Sequence, residues 1–254
     1  MPTDLPAAHS ANAESALKIL YQDESVVAVH KPGGLLVHRS MIDRRETRFL
    51  LQLLRDQIGQ RVYPLHRLDK PTQGIVLMAL SPEIARLMGP QFEQGDVEKH
   101  YWAIVRGYCE AQNTIDYALK EELDAMTDGK AKQDKPAQAA VTQYRRLARV
   151  EWPYPVGRYD SARYSLLELQ PKTGRKHQLR RHLKHIFHPI VGDTTHGDGK
   201  QNRFFRDHFH AHGLMLCAKR LSFVHPINGD RIQLETQLDA EMQRLVDDES
   251  WCWD

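Results

Sequence analysis

The sequence predicts an α+β domain built on a mixed, mostly antiparallel central sheet flanked by helices and loops. Three observations carry this. Strand-like and helix-like segments follow one another without a regular βαβ rhythm. Residues 74–80, a near-continuous apolar run, require a strand buried on both faces. The 254 residues are 41% hydrophobic, enough apolar material for one substantial core or a two-lobed one.

In chain order, residues 25–30 are β-branched and stop at Lys31-Pro32-Gly33-Gly34. They read as a buried strand and a turn, after which Leu35-Leu36-Val37 resumes the extended run. Residues 46–58 carry apolar positions at 49, 50, 53, 54 and 58, a helical spacing that Gly59 can close. Ser81-Pro82 after the apolar run is a helix start, with serine as cap and proline at the first turn. Further strands are expected at 101–105, 139–144, 164–169 and 214–224, and a helix over 172–188 stopped by Pro189. Residues 128–136 and 194–213 read as surface loops. Residues 1–16 read as a disordered tail without signal-peptide character. Residues 237–254 form a tail that either docks as a helix or frays.

Net charge is +2 and the pI about 8.4, a global balance that neither demands nor excludes nucleic acid. Cys109, Cys217 and Cys252 are odd in number and far apart, so neither a disulfide framework nor a cysteine zinc site follows. A reducing, cytoplasmic setting is expected. No apolar run reaches transmembrane length, so no membrane partner is expected.

Chemistry concentrates in two segments. His66-Arg67-Leu68-Asp69-Lys70-Pro71-Thr72-Gln73-Gly74 places an acid between cations just ahead of the buried strand. A loop fixed to a rigid sheet can hold a group accurately. Flanking positive charge keeps Asp69 ionised and available as nucleophile or base. On an arbitrary loop, a structural salt bridge would be the preferred reading. A kinase catalytic loop is excluded because Leu68 interrupts His-Arg-Asp and no glycine-rich loop precedes it. A glycosidase lacks its second carboxylate.

The second segment, residues 169–192, holds six Lys or Arg, four His and no Asp or Glu. Leu179, Leu183 and Ile186 share a helical face toward the core, and Arg180 and Lys184 share another. Lys172, Arg175, Lys176, Arg181 and Lys184 therefore suit phosphate contacts, against the blander alternative of a solvated basic helix. His208, His210 and His212 alternate and on a strand would share a face, but nothing completes a metal set. No metal or other cofactor is expected. Phe204, Phe205 and Phe209 beside Lys200, Arg203 and Arg206 read instead as an RNA-facing loop.

Taken together, these segments resemble the RluA family of pseudouridine synthases. The family's His-Arg-Leu-Asp signature matches residues 66–69 and runs on to Gly74, with Gln73 where serine is usual. Its Lys-Pro-x-Gly-Leu element matches residues 31–35, its Tyr-bearing strand residues 99–107, and its Thr-Gly-Arg-x-His-Gln-Leu-Arg element residues 173–180. A late Leu-His-Ala element appears as Leu216-Cys217-Ala218, with cysteine replacing histidine. The likeness spans residues 18–236, and its elements occur in the family's order.

The resemblance implies the pseudouridine synthase fold, with a central cleft and a catalytic domain over residues 17–236. It implies isomerisation of uridine to pseudouridine with Asp69 as catalytic carboxylate, Arg180 as its ion-pair partner and Tyr101 packed on the target base. Arg67 is implied to fill the gap left by a flipped uridine, His66 beside it to contact the RNA, and Leu216 to wall the base pocket. The likeness is strongest to a branch acting on uridine 65 of certain tRNAs. That implies tRNA as partner, gripped by the catalytic domain and its loops, with no obligate protein partner. A ribosomal RNA substrate is the alternative within the class. An RNA-binding module without catalysis is the alternative outside it, and the presence of Asp69, Tyr101 and Arg180 argues against that.

Overall fold

The computed structural model describes residues 16–38, 46–122 and 136–254. The expectations for residues 1–15, 39–45 and 128–135 lie outside them. Strands β1 (Ile19–Gln22), β2 (Val26–Lys31), β3 (Tyr63–Pro64) and β4 (Gln73–Ala79) make one end of the sheet. All seven β4 residues are buried, as the apolar run requires. Strands β5 (Glu98–Arg106), β6 (Gln112–Asp116), β7 (Val141–Trp152), β8 (Ala162–Pro171), β9 (Leu216–Val224), β10 (Arg231–Glu235) and β11 (Cys252–Trp253) complete it.

Among the described residues the sheet has 11 strands, and its main path runs β1-β2-β4-β9-β5-β8-β7-β11. Its pairings are antiparallel except β4 with β9, which meet in parallel at Gln73 with Cys217 and Gly74 with Ala218. That junction places the loop before β4 against the centre of the sheet. Gly74 has φ 117°, and a Cβ there would lie 2.4 Å from the Ala218 carbonyl oxygen. Only glycine permits this approach.

Helix α1 (Leu50–Ile58) begins later than the apolar spacing suggests. Phe49 is extended and bridges Leu36, so residues 46–49 belong to that contact and residues 35–37 form no longer strand. Gly59, with φ 68°, ends the helix. Helix α2 (Pro82–Gln94) starts as expected: the Ser81 hydroxyl accepts the Ile84 amide at 3.2 Å.

Helix α3 (Gln178–His185) is shorter than 172–188. The side chain of Gln178 holds residues 173–177 in a turn instead: its Oε1 accepts the Thr173 hydroxyl at 2.7 Å and the Arg175 amide at 3.0 Å. The carboxamide donates to the Val141 carbonyl at 3.0 Å.

Residues 194–213 are not a loop. Helix α4 (Gly199–Phe209) occupies their middle, capped by Asp198, whose carboxylate accepts the amides of Lys200 and Gln201. Near the C-terminus, helix α5 (Ala240–Val246) and β11 dock rather than fray. Met242, Leu245, Val246 and Trp251 are buried in the main core.

That core lies under β5, β7 and β8 with α3, α4 and α5, and smaller clusters flank β2 and β4. Tyr101 packs against both the main core and the cluster holding Leu68 and α1. Among the described residues, no helix is long and apolar enough to cross a membrane.

Candidate active site

The loop carrying Asp69 is fastened from below. Leu68 is buried among Val29, Val37, Leu54 and Met78. The Thr72 amide donates to the Asp69 carbonyl at 3.0 Å, closing a tight turn around Lys70 and Pro71. Lys31 is fully buried and donates to the carbonyls of Pro32, Leu35 and Lys70 at 2.9, 2.8 and 3.0 Å. One ammonium thus ties the glycine turn at 33–34 to the residue after Asp69. Burial pushes the Lys31 amine down to about 7, with the charges of Asp239 and Asp69 opposing.

Arg180 projects from the first turn of α3 and joins two carboxylates 111 and 13 residues away in sequence. Its Nε and one terminal nitrogen grip both oxygens of Asp193 at 2.7 and 2.8 Å. The other terminal nitrogen donates to Asp69 Oδ2 at 3.1 Å. The Arg180 and Asp193 side chains are 4% and 1% exposed, whereas Asp69 is 30% exposed. Asp193 also accepts the amides of Thr195 and His196, both at 2.9 Å. Burial pulls the Arg180 guanidinium down, but the bonds and charge of Asp193, together with Asp69, outweigh it and raise its pKa. The guanidinium is fixed on the buried side and presents its other terminal nitrogen to the accessible carboxylate.

Tyr101 stands on β5 opposite Leu169 and Ala218. Burial, then the charge of Asp69, pushes its phenol well above the ordinary tyrosine range. It is therefore a neutral, proton-bearing ring at neutral pH. Leu216 is buried on β9 opposite Ala103, and Cys217 pairs Trp102.

His177 sits at the foot of α3 with φ 55° and its Nε2 3.9 Å from Asp69 Oδ2. Its Nδ1 is 3.0 Å from His196 Nε2 and 3.3 Å from a Glu122 oxygen. Burial lowers both histidine pKa values, so the rings are neutral near pH 7. Among the described residues, Glu122, His177 and His196 have the spacing to hold a metal, their donor atoms lying within 4.8 Å of one another. The same contacts serve as a hydrogen-bonded brace for His177.

A family model described as RNA pseudouridylate synthase matches residues 25–185, which include Asp69, Tyr101 and Arg180. The chain belongs to the RNA pseudouridylate synthase family. Over 235 residues it is 57% identical to tRNA pseudouridine synthase C of Vibrio cholerae serotype O1, covering 92% of this chain and 96% of that one. It is 54% identical to the protein of that name from Haemophilus influenzae, over 92% and 98% of the two chains. Among solved structures, human RNA pseudouridylate synthase domain containing 4 superposes with TM-score 0.65 and 28% identity, covering 89% of this chain and 90% of that one. Human RNA pseudouridylate synthase domain containing 1 gives TM-score 0.68 at 24% identity over 94% and 89%. These neighbours share the pseudouridylate synthase fold.

Within this family member, the cations expected at an RNA surface divide. Arg67 is exposed, and its guanidinium reaches His38 Nε2 at 3.4 Å. His66 turns inward instead. Its Nε2 accepts the Leu77 amide at 3.0 Å, its ring stacks on Phe92, and burial pushes its pKa down to about 3. Lys172 and Lys184 are exposed. Arg175 and Lys176 donate to the carbonyls of Ala139 and Glu122, and Arg181 pairs with the Glu122 carboxylate at 3.3 Å. Lys200, Arg203 and Arg206 are exposed on α4, with no ion-pair partner among the described residues.

The aromatic reading of that segment needs correction. Phe205 is fully buried, and Phe204 and Phe209 pack with it against the main core that holds Trp152 and Tyr164. They are the inner face of a helix rather than an RNA-facing loop. His208, His210 and His212 run from the last turn of that helix past its cap, so the strand geometry that would align them is absent.

The sequence reading missed Asp193. Its one signal was position: it is the first acid after the acid-free stretch of 169–192 and follows a glycine.

Proposed function

We propose that the chain isomerises uridine to pseudouridine in tRNA, at uridine 65, with Asp69 as the catalytic carboxylate. One observation carries the reading. Asp69 is the accessible acceptor of a guanidinium whose Nε and second terminal nitrogen are held by a buried second acid. That arrangement supplies an ionised, aimed carboxylate and little else, which suits this reaction. The N1–C1′ bond breaks, the base turns, and C5 joins C1′, so no atom is gained or lost. The protein has to position the base and control charge.

Attack of Asp69 on C1′ and removal of the C2′ proton both call for the same ionised oxygen. Tyr101, neutral and beside Asp69's charge, packs on the base and is available as a proton-transfer group. Arg67, exposed at the mouth, occupies the space vacated by the flipped nucleotide, and Leu216 walls the base pocket. Lys172, Lys184 and the three α4 cations supply phosphate contacts. Substrate and cysteine chemistry agree with a cytoplasmic protein.

The 57% identical relative named tRNA pseudouridine synthase C supports tRNA as substrate. Pseudouridine mapping of total RNA from a strain lacking the gene tests the site. Loss at tRNA position 65, restored by the purified protein, is the expected result. An unchanged position 65 with loss at a ribosomal uridine overturns the substrate and leaves the chemistry.

A further inference from the structure

Helix α3 carries Arg180 at one end and an unusual residue at the other. The Phe187 amide donates to the Lys184 carbonyl at 3.0 Å, and the His188 amide reaches back to Leu183 at 2.9 Å. This paired closure places Phe187 at the helix-ending position that needs a left-handed backbone, and its φ is 64°. Glycine is the favoured residue there, because a Cβ crowds the following carbonyl. Among the described residues only His177 and His210 share this sign of φ without being glycine. The Phe187 side chain gains nothing from the fold in return: it is 85% exposed.

We propose that Phe187 is a substrate-contact residue that stacks on a nucleotide of the bound tRNA beside the flipped uridine. The inference rests on the tRNA reading above. A large ring kept at a strained, solvent-facing position calls for an occupant outside the chain. The surroundings choose which. Lys184 and His185 are exposed on the preceding turn, and Tyr117 lies flat on the His185 ring, centroids 3.6 Å apart at 15°. Tyr117 is itself 44% exposed. An aromatic ring beside a lysine and stacked rings matches bases and phosphates, where an apolar protein partner would leave that charge unpaired. The seven residues from Arg180 to Phe187 span roughly 10 Å of helix rise, which puts the ring within a few nucleotides of the uridine at Asp69.

The backbone makes the test unusually sharp. In Phe187→Gly the strain disappears with the ring, so Tm rises by about 2 °C. KM for a tRNA transcript bearing uridine 65 rises about tenfold. Phe187→Trp keeps KM within about twofold of wild type, because stacking survives. Wild-type turnover of the same transcript reports separately on the tRNA reading. An unchanged KM in Phe187→Gly overturns the proposal. So does a fall in its Tm, which would make the ring part of the fold. Loss of a self-associated species on sedimentation with KM unchanged would assign the ring to a protein contact and also overturn it.

Discussion

Helices α3 and α4 are both short and basic, and the sequence offers both as RNA-binding equipment. The structure uses their charges differently. In α3, Arg180 is buried between two acids and Arg181 is held by Glu122. In α4, Lys200, Arg203 and Arg206 all face solvent, while Phe205 anchors the opposite side in the core. The acids that claim the α3 arginines come from residues 69, 122 and 193, all outside the stretch that looked free of acid. A cation's role is therefore set by which carboxylate the fold brings to it. Buried and paired, it can aim a carboxylate; exposed and without an ion-pair partner, it is available to phosphate.

The largest expected effect breaks the α3 side. Asp69→Asn lowers turnover below about 1% of wild type while tRNA affinity holds, because binding is spread over other groups. Single-turnover assays with filter binding measure both, and residual activity of a few per cent would remove Asp69 from its role. Arg180→Lys comes next, with a loss of about 100-fold in single-turnover rate. A lysine cannot grip Asp193 with a planar fork and reach Asp69 as well. Near-normal rates would dissolve the pair.

Asp193→Asn tests the same guanidinium from its buried side. Removing that charge leaves Arg180 without its main counter-ion, and stability falls by about 3 kcal/mol in denaturant titration. A smaller cost with a full loss of rate would make Asp193 a pure positioning residue.

On the α4 side the effect is milder and of another kind. Changing Lys200, Arg203 and Arg206 together to Gln raises KM about tenfold with a lesser change in kcat, and flattens the dependence of binding on salt. A kcat defect as large as the KM defect would put α4 near the chemistry and erase the contrast. Chelation sharpens the comparison least: exhaustive EDTA treatment leaves activity unchanged if Glu122, His177 and His196 act as a hydrogen-bonded brace. Activity lost and then restored only by a divalent metal would make them a metal site.

Neighbouring residues show where legibility in the sequence stopped. His66 and Arg67 look alike as basic residues before Asp69, yet one accepts the Leu77 amide inside the fold and the other faces solvent. Neither lies in a strand, so no alternation assigns their faces; His66 is drawn in by the Leu77 amide on β4 and the Phe92 ring on α2, partners that the local sequence does not name. Helix α4 was hidden for a related reason. Its apolar positions are aromatic and lie among histidines and arginines. They could be assigned to the inner face only once the core containing Trp152 and Tyr164 was in place.

By itself the sequence determined the buried strand β4 and the capped start of α2, and its family resemblance singled out Asp69, Tyr101 and Arg180 as candidates. These depend on local rules of apolar periodicity and capping, and on short motifs that are read without knowledge of the packing. Only the tertiary structure decided that Asp193 completes the guanidinium's fork, that His66 turns inward, that the α4 phenylalanines are core, and that Phe187 is left facing solvent on a strained backbone. Each of these depends on a contact or its absence across many residues of chain. Burial and charge pairing are properties of neighbours in space, which one-dimensional spacing does not specify.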